Sequence, residues 1–307
     1  MSTLILPPAT VPTRRHRRAT PGRVFAWVAL IVAVLVSLFP FLWVLRTAFS
    51  TSRSLASAPS SLLPVDFTLG AFERVLGLST HAQAVAQGGS GASMNFWLYL
   101  RNSVIYAGSV TIGQVFFCAM AAYAFARLRW PGRNLVFGIF LGALLVPPIF
   151  TQLPNFILVK DLGLINTFGG MILPGFFMTP FAVFFLRQFF LGLNHEVEES
   201  ASLDGAGPWR TFFQIVLPMS TAPVTTLAIL TFITTWNDYL WPLLVGNTEG
   251  TKVLTVALGI FQSQTPGGSP DWAGLMAAAL VAAAPVLVLF FAFARRILDS
   301  IGYTGTK

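Results

Sequence analysis

Charge is scarce in this chain. Only 10% of its 307 residues are Asp, Glu, Lys or Arg, against about 25% in soluble domains, which excludes a soluble globular protein. The single cysteine, Cys118, excludes a disulfide framework and a cysteine metal cluster. The three histidines, His16, His81 and His195, lie far apart. His195-Glu196 lacks the second histidine of a zinc hydrolase motif. No G-x-x-x-x-G-K-[ST] occurs, so the chain has no P-loop for nucleotide. Gly89-Ser90-Gly91 lacks the spacing of a nucleophile elbow. The long apolar blocks hold almost no ionisable groups, which argues against an intramembrane enzyme and against a proton- or ion-coupled carrier. Uphill transport by such a chain takes its energy from another subunit. Neither a metal nor a cofactor is expected, and the chain is not expected to be an enzyme.

What is present is apolar and comes in blocks. The chain is 55% hydrophobic with mean hydropathy +0.72. A helix needs about 20 apolar residues to cross a bilayer. Six blocks qualify: Val24 to Thr47, Asn102 to Phe125, Asn134 to Val159, Phe168 to Leu186, Ile215 to Asn237 and Trp272 to Ala294. Only Arg46 interrupts them with charge. Transmembrane strands would give alternating segments of about 10 residues, and none is seen. The expected fold class is all-α, a polytopic membrane protein with six transmembrane helices. The membrane domain is expected over 24–297, between a basic tail at 1–23 and a C-terminal tail at 298–307.

Basic residues set the orientation. Arg14, Arg15, Arg17, Arg18, Arg23, Arg127, Arg129, Arg133, Arg187, Arg210, Arg295, Arg296 and Lys307 fall on one side. Arg46, Arg53, Arg74, Arg101, Lys160 and Lys252 fall on the other. The positive-inside rule puts the larger set, and both termini, in the cytoplasm. The net charge of +8 is matched by anionic lipid heads beside the spans and needs no nucleic acid. The first apolar run is longer than the 7 to 15 residues of a signal-peptide core, so an uncleaved first helix is expected.

Two outer loops are long, at 50–101 and 246–271. The first carries an amphipathic piece, Leu69 to Leu76, and a Gly/Ser/Ala/Gln stretch from Ser79 to Ser93 that reads as flexible linker. The second carries Pro266-Gly267-Gly268-Ser269-Pro270 and reads as turn-rich. Gly138 and Gly142 form a G-x-x-x-G that permits close helix approach, within this chain or to another subunit. Pro147-Pro148 and Pro154 are expected to break the third span. Trp241 and Trp272 are expected in the outer interfacial belt. Asp238 is expected near the outer mouth in a structural role.

The loop at 190–217 differs from everything around it. Glu196, Glu198, Glu199 and Asp204 are four of only eleven carboxylates in the chain. The three glutamates suit the first turns of a helix starting near Asn194, where they complement the dipole. Asn194 fits either a cap or plain loop. Gly205 can take positive φ and end the helix, and Pro208 favours a new helix starting there. Two short helices with a turn between them are expected along the membrane face.

This loop, Glu199-Ser200-Ala201-Ser202-Leu203-Asp204-Gly205-Ala206 continuing to Leu217-Pro218, resembles the E-A-A…G signature of bacterial ATP-binding-cassette importer permeases, with Ser200 in place of the middle alanine. Trp97 to Ser103, Ala121 to Arg127, Val146-Pro147-Pro148, Leu162 to Thr167, Ile172-Leu173-Pro174 and Thr235 to Leu243 are similar to the carbohydrate branch. Among these the chain is most similar to the smaller, six-span permease of maltose-type transporters, from about Phe25 to the end. The basic tail and the Ser79 to Ser93 insertion depart from the pattern.

The resemblance implies a type I importer permease fold in a bacterial inner (plasma) membrane. It implies a second homologous permease, an ATPase dimer at the coupling loop, and an extracytoplasmic solute-binding protein that delivers a carbohydrate. ATPase coupling would then fall to Glu199, Ser200, Ala201, Asp204, Gly205 and Ala206. The polar and aromatic candidates for the sugar path are Gln114, Gln152, Asn155, Trp236, Asn237 and Tyr239. Any of these can instead satisfy neighbouring helices, and the paired permease can hold most of the substrate contacts. The alternatives are a permease for glycerol phosphate, a polyol or an amino acid, and a membrane scaffold without transport activity.

Overall fold

The computed structural model describes residues 21–87, 89, 94–259 and 270–302. Most of the basic tail, Gly88, Ser90 to Ser93, Pro266 to Ser269 and the last residues of the C-terminal tail lie outside them. All regular structure among the described residues is helical. In chain order come α1 (Pro21–Ala48), α2 (Ser52–Ser57), α3 (Gly70–Val75), α4 (His81–Ala86) and α5 (Phe96–Arg127). Next are α6 (Arg133–Gly142), α7 (Pro148–Asp161), α8 (Phe168–Phe176) and α9 (Pro180–Leu191). The chain continues through α10 (His195–Leu203), α11 (Pro208–Thr211), α12 (Leu217–Met219), α13 (Thr221–Trp236), α14 (Leu240–Val245), α15 (Leu254–Leu258) and α16 (Trp272–Gly302).

Three helices are long and apolar enough to cross a membrane: α1, α5 and the Trp272–Phe293 part of α16. Three bent pairs supply the rest: α6–α7 at 100°, α8–α9 at 42° and Pro208–Met219 against α13 at 79°. With each bent pair taken as one span there are six.

Proline places two of the bends. Val146 and Pro147 are extended, with ψ 115° and 135°, because a residue preceding proline is held out of the α region. Pro148 then opens α7 at a position where its missing N–H costs nothing. Thr179, extended before Pro180, repeats the device between α8 and α9. Pro154 departs from expectation: it lies inside α7 and does not end it. The bend at Ser220 follows a π-helical turn, Phe212–Val216, and lies between Pro218 and Pro223.

The chain divides into two compact units at Val44–Leu45. The first contains α1 up to Val44, whose apolar side chains, among them Trp27, Leu35 and Phe39, are exposed. In the second, α5 is the axis, and three buried clusters lie along it. The outer cluster includes Tyr99, Ala107, Trp236, Leu254 and Ala277. The middle one holds Tyr106, Val110, Met171, Trp241 and Val245. The inner one holds Cys118, Ala122, Leu186, Phe190, Phe212 and Leu227. Small residues on α5 let its neighbours approach, which is how helices associate where lipid removes the hydrophobic drive. Gly113 is the tightest case: an added Cβ would lie 2.3 Å from the Phe176 ring and 2.6 Å from its carbonyl oxygen. Gly138 and Gly142 have open space around them, so the G-x-x-x-G face makes no close approach to the described residues.

The described parts of the outer loops hold more helix than their composition implies. Within the expected linker, Thr80 and Gln83 form a reciprocal capping box that starts α4. Such a box satisfies orphan backbone donors whatever the flanking Gly and Ser content. The second loop contains α15, and the second span begins at Phe96 rather than Asn102. A buried ion pair joins the first loop to the last span: Arg74 Nη2 lies 3.2 Å from Asp271 Oδ2, with side chains 3% and 0% exposed. Trp241 is buried, its Nε1 donating to Met171 O at 3.1 Å. That indole takes its partner from the chain rather than from an interfacial water layer, unlike Trp272, which is exposed.

Candidate functional site

The acidic loop is two helices joined by a left-handed turn. Asn194 caps α10, its Oδ1 accepting from Glu196 N at 3.1 Å, and Glu196 and Glu198 occupy the first turn. Gly205, at φ 77°, closes the helix with a pair of bonds: Ala206 N donates to Ala201 O at 2.9 Å and Gly205 N to Ser202 O at 3.1 Å. This 6→1 and 5→2 pattern satisfies the last carbonyls and needs a left-handed residue at the glycine position. Pro208 opens α11. Glu199, Ser200, Asp204 and Gly205 are exposed, and Ala201 and Ala206 are half-buried.

One arginine seats this loop on α5. Arg127 Nε lies 2.9 Å from Glu198 Oε1, and the arginine side chain is 2% exposed. Its Nη2 donates to Leu193 O at 2.8 Å, and its Nη1 meets His195 Nε2. Glu198 is therefore engaged within the chain, while Glu199 and Asp204 face outward. In the sequence Arg127 stands as a charge that orients the chain and as the close of Ala121 to Arg127, and nothing beside it marks Glu198 as its partner. Sequence reasoning passed over Leu203, which is 89% exposed at the tip of α10; an apolar residue ending an acidic helix was the available sign.

Two cavities flank α5 at different depths. The inner, of about 530 Å³, is lined by apolar groups that include Phe117, Met120, Met178, Trp209 and Phe212, and it offers a polar solute little to bind. The outer, of about 510 Å³, brings together Tyr106, Gln114, Gln152, Asn155, Thr235 and Asp238 from three helices, α5, α7 and α13, and the turn after α13. At helical rise, Gln114 lies about 20 Å and Tyr106 about 30 Å along α5 from Arg127. The cavity thus runs from mid-span toward the outer face.

Of the six path candidates, Gln114, Gln152 and Asn155 line this outer cavity and three do not. Trp236 is buried, with Nε1 donating to Ala282 O at 3.1 Å and its ring stacked on Phe232. Asn237 ends α13 and donates back to Ile233 O at 2.8 Å. Tyr239 is 48% exposed, away from the lining. Asp238, assigned only a structural role by sequence, is in the wall: its Oδ2 accepts from Tyr106 OH at 2.9 Å and its Oδ1 from Trp241 N at 3.4 Å.

Residues 114–301 match the model of the family described as binding-protein-dependent transport system inner membrane component. The chain belongs to this family. It is an inner-membrane permease of a binding-protein-dependent transport system, and its family is one of transporter subunits rather than catalysts. It is 35% identical to the diacetylchitobiose uptake system permease protein of Streptomyces coelicolor, over 92% of this chain and 89% of that one. It is 33% identical to the sn-glycerol-3-phosphate transport system permease protein of Salmonella typhi, over 90% and 96%. A crystal structure of a bacterial ABC transporter that imports the acidic polysaccharide alginate shares the fold. The TM-score there is 0.74 at 20% identity, over 93% of this chain and 99% of that one.

Proposed function

We propose that this permease forms half of a carbohydrate path whose motion is driven by a separate ATPase docked on α10 and the turn after it. The observation carrying this reading is the exposed acidic helix with its left-handed stop, tied by Arg127 to the helix whose outer half lines the polar cavity. A push at the loop is thereby delivered to α5. Glu199 and Asp204 offer exposed charge to basic or polar groups of the ATPase, Leu203 an apolar knob, and Ala201 and Ala206 room for close approach. The open glycine face of α6 suits a second permease.

In the cycle this implies, ATP closes the ATPase dimer and the coupling loops of the two permeases are drawn together. The pair then rocks from inward-open to outward-open, where a solute-binding protein releases sugar. Gln114, Gln152 and Asn155 supply amide donors and acceptors to hydroxyl groups on the way.

The test is uptake of labelled sugar into proteoliposomes holding both permeases and the ATPase, with ATP inside and loaded binding protein on the opposite face. Uptake is expected only when all are present. Sugar entry with the ATPase omitted contradicts the reading.

A further inference from the structure

We infer that the outer cavity admits uncharged or cationic solutes and turns away anions, and that Asp238 sets this preference. The inference rests on the carbohydrate-permease reading and narrows it to neutral or ammonium-bearing sugars, as opposed to uronates and sugar phosphates.

The wall mixes apolar groups, among them Val110, Met171 and Pro174, with polar ones, and all but one of the polar side chains are neutral. Gln114, Gln152 and Asn155 present amides, and Thr151, Thr179 and Thr235 present hydroxyls. Asp238 is the one carboxylate, and no lysine, arginine or histidine is among the described residues that line the cavity. Sites for phosphate or carboxylate are built from charged donors, above all the arginine fork, and this wall offers none.

Asp238 is held in place by neutral donors. Tyr106 OH donates to Oδ2 at 2.9 Å and Trp241 N to Oδ1 at 3.4 Å. These fix the carboxylate at the wall without cancelling its charge. Two of the cations nearer the outer surface are engaged elsewhere: Lys252 pairs with Glu249 at 3.6 Å and Arg101 donates to Asn102 at 3.2 Å.

A sugar hydroxyl can donate to such a carboxylate and an ammonium is drawn to it, but an anion meets repulsion with no cationic donor to offset it. At about 8 Å and an effective dielectric of about 20–40, one unit charge changes the local occupancy of an ion by roughly six- to thirtyfold.

The experiment reads that potential directly, without a transported solute. Thr235→Cys places a thiol on the cavity wall one turn before Asp238. The native Cys118 is fully buried, and the parent protein serves as its control. In the assembled transporter, labelling rates are measured with a trimethylammonium-ethyl and a sulfonato-ethyl methanethiosulfonate. Their ratio is compared with the ratio on a free thiol in solution. The cationic reagent is expected to be favoured by more than about tenfold. Adding Asp238→Asn should bring the ratio back close to the free-thiol value, and Tyr106→Phe, which keeps the carboxylate, should preserve it.

An anion-favouring or free-thiol ratio with Asp238 present overturns the inference, as does a ratio unmoved by Asp238→Asn or a thiol that neither reagent reaches. If Asp238→Asn fails to assemble, the ratio with Asp238 intact decides alone. A transporter that takes up no sugar but keeps the cation preference sinks the carbohydrate reading and leaves the charge assignment standing.

Discussion

Asp271→Ala is expected to lower the stability of the protein by about 3–5 kcal/mol, the range for removing one partner of a buried ion pair. Asp271 is 0% exposed and lies 3.2 Å from Arg74, which is 3% exposed. It also accepts from Ser52 Oγ and from Gly274 N, each at 2.9 Å. Its loss leaves the Arg74 guanidinium buried beside Gln87 Oε1, a neutral acceptor at 2.9 Å, and unties the first outer loop from the start of α16. The double variant Arg74→Met/Asp271→Ala should recover most of the loss, because the cost comes from the stranded charge rather than from the missing attraction. The sole cysteine provides the readout. Cys118 is fully buried in the inner cluster, so a thiol-reactive dye reports unfolding as the purified protein is heated. The single variant should label at a clearly lower temperature and the double variant close to wild type. Equal labelling curves for all three would contradict the account of the pair.

Gly205→Val is expected to abolish sugar uptake while leaving membrane insertion intact. An added Cβ meets nothing within 4 Å, so no clash arises and the fold survives. The penalty lies in the backbone, where φ 77° costs a residue with a side chain about 1–2 kcal/mol, and more for a branched one. The turn relieves that strain by leaving the left-handed region. The bonds from Ala206 and Gly205 back to Ala201 and Ser202 are then lost, and Glu199 and Asp204 are no longer presented together. Gly205→Asn tolerates the left-handed conformation and should retain a substantial part of the uptake. Transport and transport-linked ATPase activity, measured side by side for the two variants, distinguish a requirement for turn geometry from a requirement for an unhindered surface. If both variants fail equally, the surface rather than the turn is what matters.

The parts legible in the sequence were those written locally. Gly205 and Pro208 act through their own backbone, so a left-handed stop and a helix start could be read residue by residue. Asn194 acts through its side chain on an amide two residues on, and its sequence fitted a cap and a plain loop equally. The same holds for the bend at Pro147-Pro148, where adjacent prolines restrict the residues before them. Pro154 lacks such a neighbour and is absorbed within α7. Span-length apolar blocks gave the six crossings, though not where α5 begins, because the charge at Arg101 marks a block edge while the helix continues outward through the apolar Phe96 to Leu100.

Long-range pairings were not legible. Arg74 and Asp271 lie 197 residues apart, and nothing in either neighbourhood marks the partner. Facing was the other gap. In a span that is apolar all round, period 3.6 does not say which side is buried, so Trp236 went to the path and Trp241 to the interface when both pack inside. The three amides, Gln114, Gln152 and Asn155, did come together in one cavity, because a polar side chain in an apolar span must find either a partner or water. Asp238 was passed over because a position near the outer end of a helix looked peripheral. The turn after α13 folds it back onto Tyr106 and into the wall.

The central claim is that force enters this permease at the exposed carboxylates of α10 and its stop. It is tested most directly by Glu199→Lys/Asp204→Lys, assembled with wild-type partners in proteoliposomes. The account predicts that the variant inserts normally, that uptake is lost, and that loaded binding protein no longer stimulates ATP hydrolysis. Wild-type uptake by the charge-reversed protein would contradict it.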